Sequence, residues 1–292
     1  MAYLNSDHRL AVIQADQFDQ GLVDDFEATA YQAYADRDFE ATVQLLNELI
    51  ANNPSAPQMP RWLEMRAQVL LDGKNFGAAV TDYNAAIQQS ADLDKAVRAR
   101  LIAGRALAHE GDADWASALA DYDQAITLAA EAGQMPDPYV LNSRGNAHAS
   151  LGQWAEARAD YLQSATVFQK AKGFRGRQGS TTMRLDGAVF AASNAAIMLA
   201  QLGDEAGALQ EMRKIARRAP GSADMRAALA ALYWAQGDRA AAEGEWQYAC
   251  DRVSVGCSKY MDRDWLSRIR RWPPRMVERM QDFLAIRQAG TS

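Results

Sequence analysis

One short pattern recurs along most of the chain: a small residue followed four positions later by a large one. It stands at Thr42 and Leu46, Ala79 and Tyr83, Ala118 and Tyr122, Ala157 and Tyr161, Ala208 and Met212, and Ala242 and Trp246. The small residues step by 37, 39, 39, 51 and 34 positions. A period of this size belongs to stacked helical hairpins, each of which must bury its apolar side on the next. The pattern therefore predicts an all-α chain: a right-handed superhelical solenoid of about six hairpins.

Composition agrees with that prediction. Hydrophobic residues make up 49% of 292, ample for a core, and alanine outweighs β-branched runs, which favours close-packed helices. The longest apolar stretch, 188–202, is interrupted by Ser193, Asn194 and Gln201. It reads as a buried helix and not as a membrane span, so no integral membrane segment is expected. The first thirty residues hold acids and no apolar core segment, which argues against a secretory signal and for the cytoplasm.

The net charge of −6 argues against a general nucleic-acid binder. That charge is unevenly spread. Residues 1–60 carry ten acids and two bases, whereas 213–292 carry fifteen Lys/Arg and nine Asp/Glu. The asymmetry fits an ordinary soluble surface, two ends that bind different partners, or head-to-tail self-association.

The hairpins fall at about 23–56, 60–93, 97–132, a fourth spanning Leu141 to Tyr161, 189–222 and 223–256. Gly73, Gly203 and Gly237 are expected to supply the left-handed turn residue that stops a helix. In the third hairpin Gly111-Asp112-Ala113-Asp114 reads as a turn about two residues longer than its neighbours. Glycines inside first helices, Gly104 and Gly145, read as points where two helices pass closely. Three segments lie outside the repeat: residues 1–22, an arm or capping helix; 172–188, an insertion whose Gly173–Gly179 stretch reads as a flexible loop; and 257–292, a helical cap and tail. The cap should bury Trp265, Trp272 and Phe283 on the last hairpin, because a solenoid must cover its open end.

Little in the chain points to chemistry. His8, His109 and His148 have no glutamate or cysteine at metal-ligand spacing, so neither a metal site nor a cofactor is expected. No nucleophile elbow, Walker loop or dinucleotide fingerprint occurs, and an enzyme is not expected. The insertion holds Lys172, Arg175, Arg177 and Arg184 among several glycines. It could cradle a small anion, which keeps open a second reading: a ligand-binding regulator or enzyme on a solenoid frame. Cys250 and Cys257 can pair as a disulfide or remain two thiols; the spacing allows both, and a chain without a signal favours thiols.

The clearest hairpin is Leu141-x2-Arg144-Gly145-x2-His148, Leu151-Gly152-x-Trp154, Ala157-x3-Tyr161. With the five others in phase, residues 23–256 resemble the tetratricopeptide repeat (TPR) family. The resemblance implies a non-catalytic scaffold or assembly factor that holds a protein or extended peptide in a groove lined by first helices. Carried over position by position, that groove takes Tyr31, Tyr34, Glu64, Gln68, Arg98, Arg105 and His109. It continues with Tyr139, Asn142, Asn146, Phe190, Asn194 and Trp234. Asn146 and Asn194 match the asparagines of the family's carboxylate clamp. The family's cation positions read Asn142, Asp224 and Ala228, which disfavours a chaperone tail as partner. The string from Cys257 through Trp265 to Trp272-Pro273-Pro274 is similar to the ending of TPR proteins of cyanobacteria and plastids, some of which assist photosynthetic complex assembly. A plastid location would then follow removal of a transit peptide.

Overall fold

The structure, a computed structural model, describes residues 20–89, 94–170, 180–253 and 256–289. Among them there is helix and no strand. The chain divides into two compact units, Met1–Gln134 and Met135–Ser292. The first holds the hairpins α1 (Gln20–Ala35)–α2 (Phe39–Asn52), α3 (Met59–Asp72)–α4 (Phe76–Gln89) and α5 (Lys95–Gly111)–α6 (Trp115–Glu131). The second holds α7 (Pro138–Ser150)–α8 (Trp154–Lys170), α9 (Ser180–Gln201)–α10 (Glu205–Arg218) and α11 (Ala223–Ala235)–α12 (Arg239–Asp251). A 3₁₀ turn (Ser258–Met261), a π-helical turn (Trp265–Ile269) and α13 (Pro274–Ala289) complete it.

Each hairpin turns in the same way. One residue takes the left-handed conformation: Arg37, Lys74, Ala113, Gly152, Gly203 and Gly237 in order. The next residue donates its N–H to the carbonyl five positions back, as Asp38 does to Ala33 and Asp114 does to His109 at 2.9 Å each. That bond satisfies a carbonyl left open at the helix end. In four hairpins the same residue is an aspartate, Asp38, Asp114, Asp204 or Asp238, whose carboxylate accepts a backbone N–H of the next helix. One residue ends a helix and the next begins another, leaving no slack. The Ser117 contacts hold the Asp114 carboxyl below the usual range.

Two sequence expectations change here. Gly73 has φ −76°, and Lys74 takes the left-handed turn in its place. The third turn is not longer than the others, because α5 runs through Gly111 and Ala113 occupies the place of Gly152. Gly203 and Gly237 take the left-handed conformation as expected, but glycine is an incomplete marker: the turn needs a conformation, and three of the six hairpins force a side chain into it.

The small and large residues of the repeat interlock between helices. All six small anchors, from Thr42 to Ala242, are fully buried, and their large partners are buried with them. Gly104 shows how close the approach is. A Cβ there would lie 2.5 Å from the ring of Tyr83. Each unit has its own apolar core: Leu46, Trp62 and Tyr83 in the first, Ile197, Met212 and Leu232 in the second.

The C-terminal segment caps the second core. The Phe283 ring of α13 packs edge-on between Trp234 of α11, at 5.7 Å, and Trp246 of α12, at 5.5 Å. Trp272 is buried, while Trp265 is only half-buried against Tyr260, its ring 5.3 Å away. Cys250, at the end of α12, is bonded to Cys257 with Cα atoms 4.6 Å apart. Of the two states the spacing allowed, the structure contains the disulfide. Of the insertion, residues 180–188 belong to α9, which starts at Ser180, and the Gly173–Gly179 stretch read as a loop lies outside the described residues. Lys172, Arg175 and Arg177 lie outside the described residues, as do 1–19.

Two outcomes are expected. Ala113→Gly should raise stability to chemical denaturation by about 1 kcal/mol, because glycine removes the left-handed penalty. Denatured, unreduced protein should show no titratable thiol, and reduction should lower the unfolding midpoint, with loop closure contributing roughly 2–3 kcal/mol.

Candidate functional site

The first helices α1, α3, α5, α7, α9 and α11 carry the residues expected to meet a partner. Several arginines on them are already engaged. Arg66 grips both carboxylate oxygens of Asp82 at 2.7 Å, Arg105 those of Asp121 at 2.7 Å, and Arg144 those of Asp160 at 2.6–2.8 Å. A third contact reaches the previous hairpin: Arg66 to Asn47 at 2.6 Å and Arg105 to Asn84 at 2.7 Å. The carboxylates are almost fully covered. Such two-pronged bonds fix distance and angle together, so these arginines lock first helix to second. Arg105 is therefore part of this seam. His109 lies beside it, 3.9 Å from Asp121 and 3.7 Å from Asp114. Arg98 is partly buried, and its Nε has no hydrogen-bond partner among the described residues.

The reason is register. Tyr139, Asn142 and Asn146 are exposed or half-buried on α7. A step of 39 residues back, the spacing of the two anchors Ala118 and Ala157, gives Arg100, Ala103 and Leu107. Arg98, Arg105 and His109 stand two residues off that row, on the packing side.

In the first unit the row is ionic. Arg100 holds both oxygens of Glu64 at 2.7 and 2.8 Å, linking α5 to α3. Arg61 donates to the Tyr31 hydroxyl at 3.1 Å and pairs with Glu27 at 3.0 Å. Tyr34 donates to Asp72 at 2.5 Å, which pushes its pKa up to about 12, with burial adding to the effect. Gln68 lies between Asp72, at 3.4 Å, and the Tyr83 hydroxyl, at 3.5 Å.

In the second unit the row is amide and aromatic. Asn194 of α9 donates to Asn142 of α7 at 3.4 Å. Asn146 accepts from the Tyr161 hydroxyl at 3.0 Å, which ties it to its own hairpin. Tyr139 and Phe190, one helical turn before the paired asparagines, are 56% and 49% exposed. Tyr139 stands edge-on to Phe168 at 5.0 Å.

Within the second unit the protein's own C-terminal segment closes the row. Arg270 holds Asp224 of α11, with Nε 2.7 Å from one oxygen, and its guanidinium lies 5.1 Å from the centre of the Phe190 ring. The Trp272 indole donates to the same carboxylate at 3.1 Å. Trp234 lies under the cap, against Phe283, with Arg239 5.3 Å over its ring. Arg184 belongs to α9. Among the described residues no cluster of His, Cys, Asp and Glu could hold a metal, and no helix is long and apolar enough to cross a membrane.

No family model matches the chain, and no curated protein matches it. Solved structures do. A tetratricopeptide repeat protein from Parabacteroides merdae is 14% identical, covers 90% of this chain and 92% of its own, and has a TM-score of 0.62. The chain has the TPR fold. The apo form of RapI is 12% identical over 90% of this chain and 74% of its own, with a TM-score of 0.63. YrrB, described as a TPR protein with an unusual peptide-binding site, is 14% identical over 70% of this chain and 89% of its own, with a TM-score of 0.50.

Sequence reading missed the Arg–Asp seam, yet the signal was present. Asp-Tyr recurs at 82–83, 121–122 and 160–161, each time with an arginine sixteen positions earlier. It also missed Arg270, which belongs to no repeat and meets Asp224 only after the chain folds back. If the seam locks the hairpins, Asp121→Asn should cost about 2 kcal/mol or more in urea unfolding, because it strands a covered guanidinium. The double change Arg105→Met, Asp121→Leu should cost less than that single change.

Proposed function

We propose that this TPR protein is a non-catalytic scaffold or assembly factor that binds an extended segment of a partner protein along α7 and α9. One observation carries the reading: the Asn142–Asn194 pair, one helical turn after two exposed aromatic side chains, Tyr139 and Phe190. When the buried Asn194 donates to Asn142, the half-buried Asn142 keeps its amide donor for a backbone carbonyl of the segment, so a segment can be held with little regard to its sequence. Tyr139 and Phe190 offer flat apolar surface for its side chains. The seam arginines contribute stiffness and not charge recognition. A TPR fold shared with a peptide-binding neighbour supports the reading without naming a partner.

The finer assignment, assembly of photosynthetic complexes in a cyanobacterium or a plastid, rests on the resemblance of residues 257–274 alone. The cytoplasm is the alternative compartment, and a persistent Cys250–Cys257 bond would favour a less reducing one. Charge asymmetry leaves self-association as an outcome to be read by sedimentation.

The test begins with affinity capture from the native cell and identification of the bound protein. Asn142→Ala with Asn194→Ala should then weaken that partner roughly five- to a hundredfold, at about 0.5–1.5 kcal/mol for each lost hydrogen bond. Helix content should not change. Full affinity in the double variant would remove α7 and α9 as the site.

A further inference from the structure

The fold leaves one block of cations in the basic rear without internal partners. Arg213, Lys214, Arg217 and Arg218 stand on the last two turns of α10, and all four side chains are exposed. Residues four apart on a helix lie one above the other, so the four form two parallel columns on one face. Among the described residues none of them takes part in an ion pair or a side-chain hydrogen bond.

The acids of the same helix do not offset them. Glu205 is paired with Arg279 at 3.0 Å and Glu211 with Arg158 at 2.7 Å. Counted from the anchor alanines, the matching stretch of α8, Leu162 to Val167, has no charge. That of α12, Gln247 to Arg252, has one acid and one base. A helix C-terminus favours cations in its last turn, which accounts for Arg217 and Arg218 but not for Arg213 and Lys214 a turn earlier.

Two exposed apolar side chains flank the block. Arg158 of α8 is tied to α10 through Glu211, and Leu162 follows it by one turn and is exposed. On the other side Arg226 reaches the Ala216 carbonyl at 3.5 Å. Its guanidinium lies 4.2 Å from the centre of the Tyr248 ring, which is also exposed.

We propose that this face of the second unit lies on a membrane surface rich in anionic headgroups. A protein interface centres on a desolvated apolar anchor, whereas here the centre is cationic and the apolar groups are at the rim. Duplex nucleic acid has no apolar layer to receive Leu162 and Tyr248, and a bilayer interface does. Headgroups also move laterally, so they can meet the cations at any spacing. The contact is peripheral, and it does not rest on the amide row of α7 and α9.

The probe is vesicles of phosphatidylcholine with about one third phosphatidylglycerol, sedimented with the full chain. Binding at low ionic strength, release by salt and no binding to phosphatidylcholine alone are expected. Arg213→Gln with Lys214→Gln should weaken binding roughly twenty-fivefold, at about fivefold for each cation near the surface. Arg217→Gln with Arg218→Gln should do the same. Lys74→Gln with Arg263→Gln removes the same charge at exposed positions elsewhere and should leave binding unchanged. The thermal unfolding midpoint should hold in all three variants, which separates lost binding from lost folding. Equal loss in the Lys74 and Arg263 variant, equal binding to neutral vesicles, or tighter binding to duplex DNA or polyglutamate at the same concentration of negative charge would each overturn the proposal.

Discussion

Everything in this chain depends on one steric constraint: two helices can pass closely only where one presents almost no side chain. The anchors Ala79, Ala118 and Ala157 have no exposed surface, and each is followed one turn later by a buried tyrosine. At Gly145 a Cβ would come within 2.7 Å of Tyr161. That closeness makes the arginine seam workable. Arg66, Arg105 and Arg144 can reach an aspartate on the next helix with both prongs because the helix axes are near. The aspartate stays almost fully covered in each case. A methyl group more at the crossing would cost both the packing and the ion pair, so the small residue and the Arg–Asp pair recur together.

Much of the fold was legible in sequence. A period of 34–39 residues is a physical repeat length, and anchor and turn share it: the left-handed residues follow the same steps as the buried alanines. The cap was legible because Trp272, Val277 and Phe283 are too apolar for a free tail. Other features were hidden for stated reasons. Turn glycines misled because Lys74 and Ala113 accept the strain. The face of α5 was read two residues out of register because Arg98, Arg105 and His109 look like surface groups until Asp121 is placed beside them. The first half of 180–201 carried no repeat signal, yet Gly187 packs its backbone on Phe168 and the helix continues through it.

The charge pattern also changes meaning once partners are known. Asp38, Asp114, Asp204 and Asp238 cap helices. In the basic rear, Arg226 pairs with Glu245, Arg270 with Asp224 and Arg279 with Glu205. Asp38 of the acidic front and several arginines of the basic rear are therefore used within the fold. A charge used internally steers a partner weakly, because its field is cancelled at short range.

That leaves recognition to the groups that internal pairing does not exhaust. On α7 and α9 these are amides and aromatic rings, which on the proposed reading would meet a backbone and a flat surface. At Asp224 the C-terminal segment shows how such a row is occupied: a guanidinium in two-pronged contact with a carboxylate, lying over the ring of Phe190. Because Arg270 fills that position, the row ends at Phe190 within the chain itself. The C-terminal segment is thus more than a lid over apolar surface: by bonding residues 270 and 272 to one aspartate it ties the cap to α11.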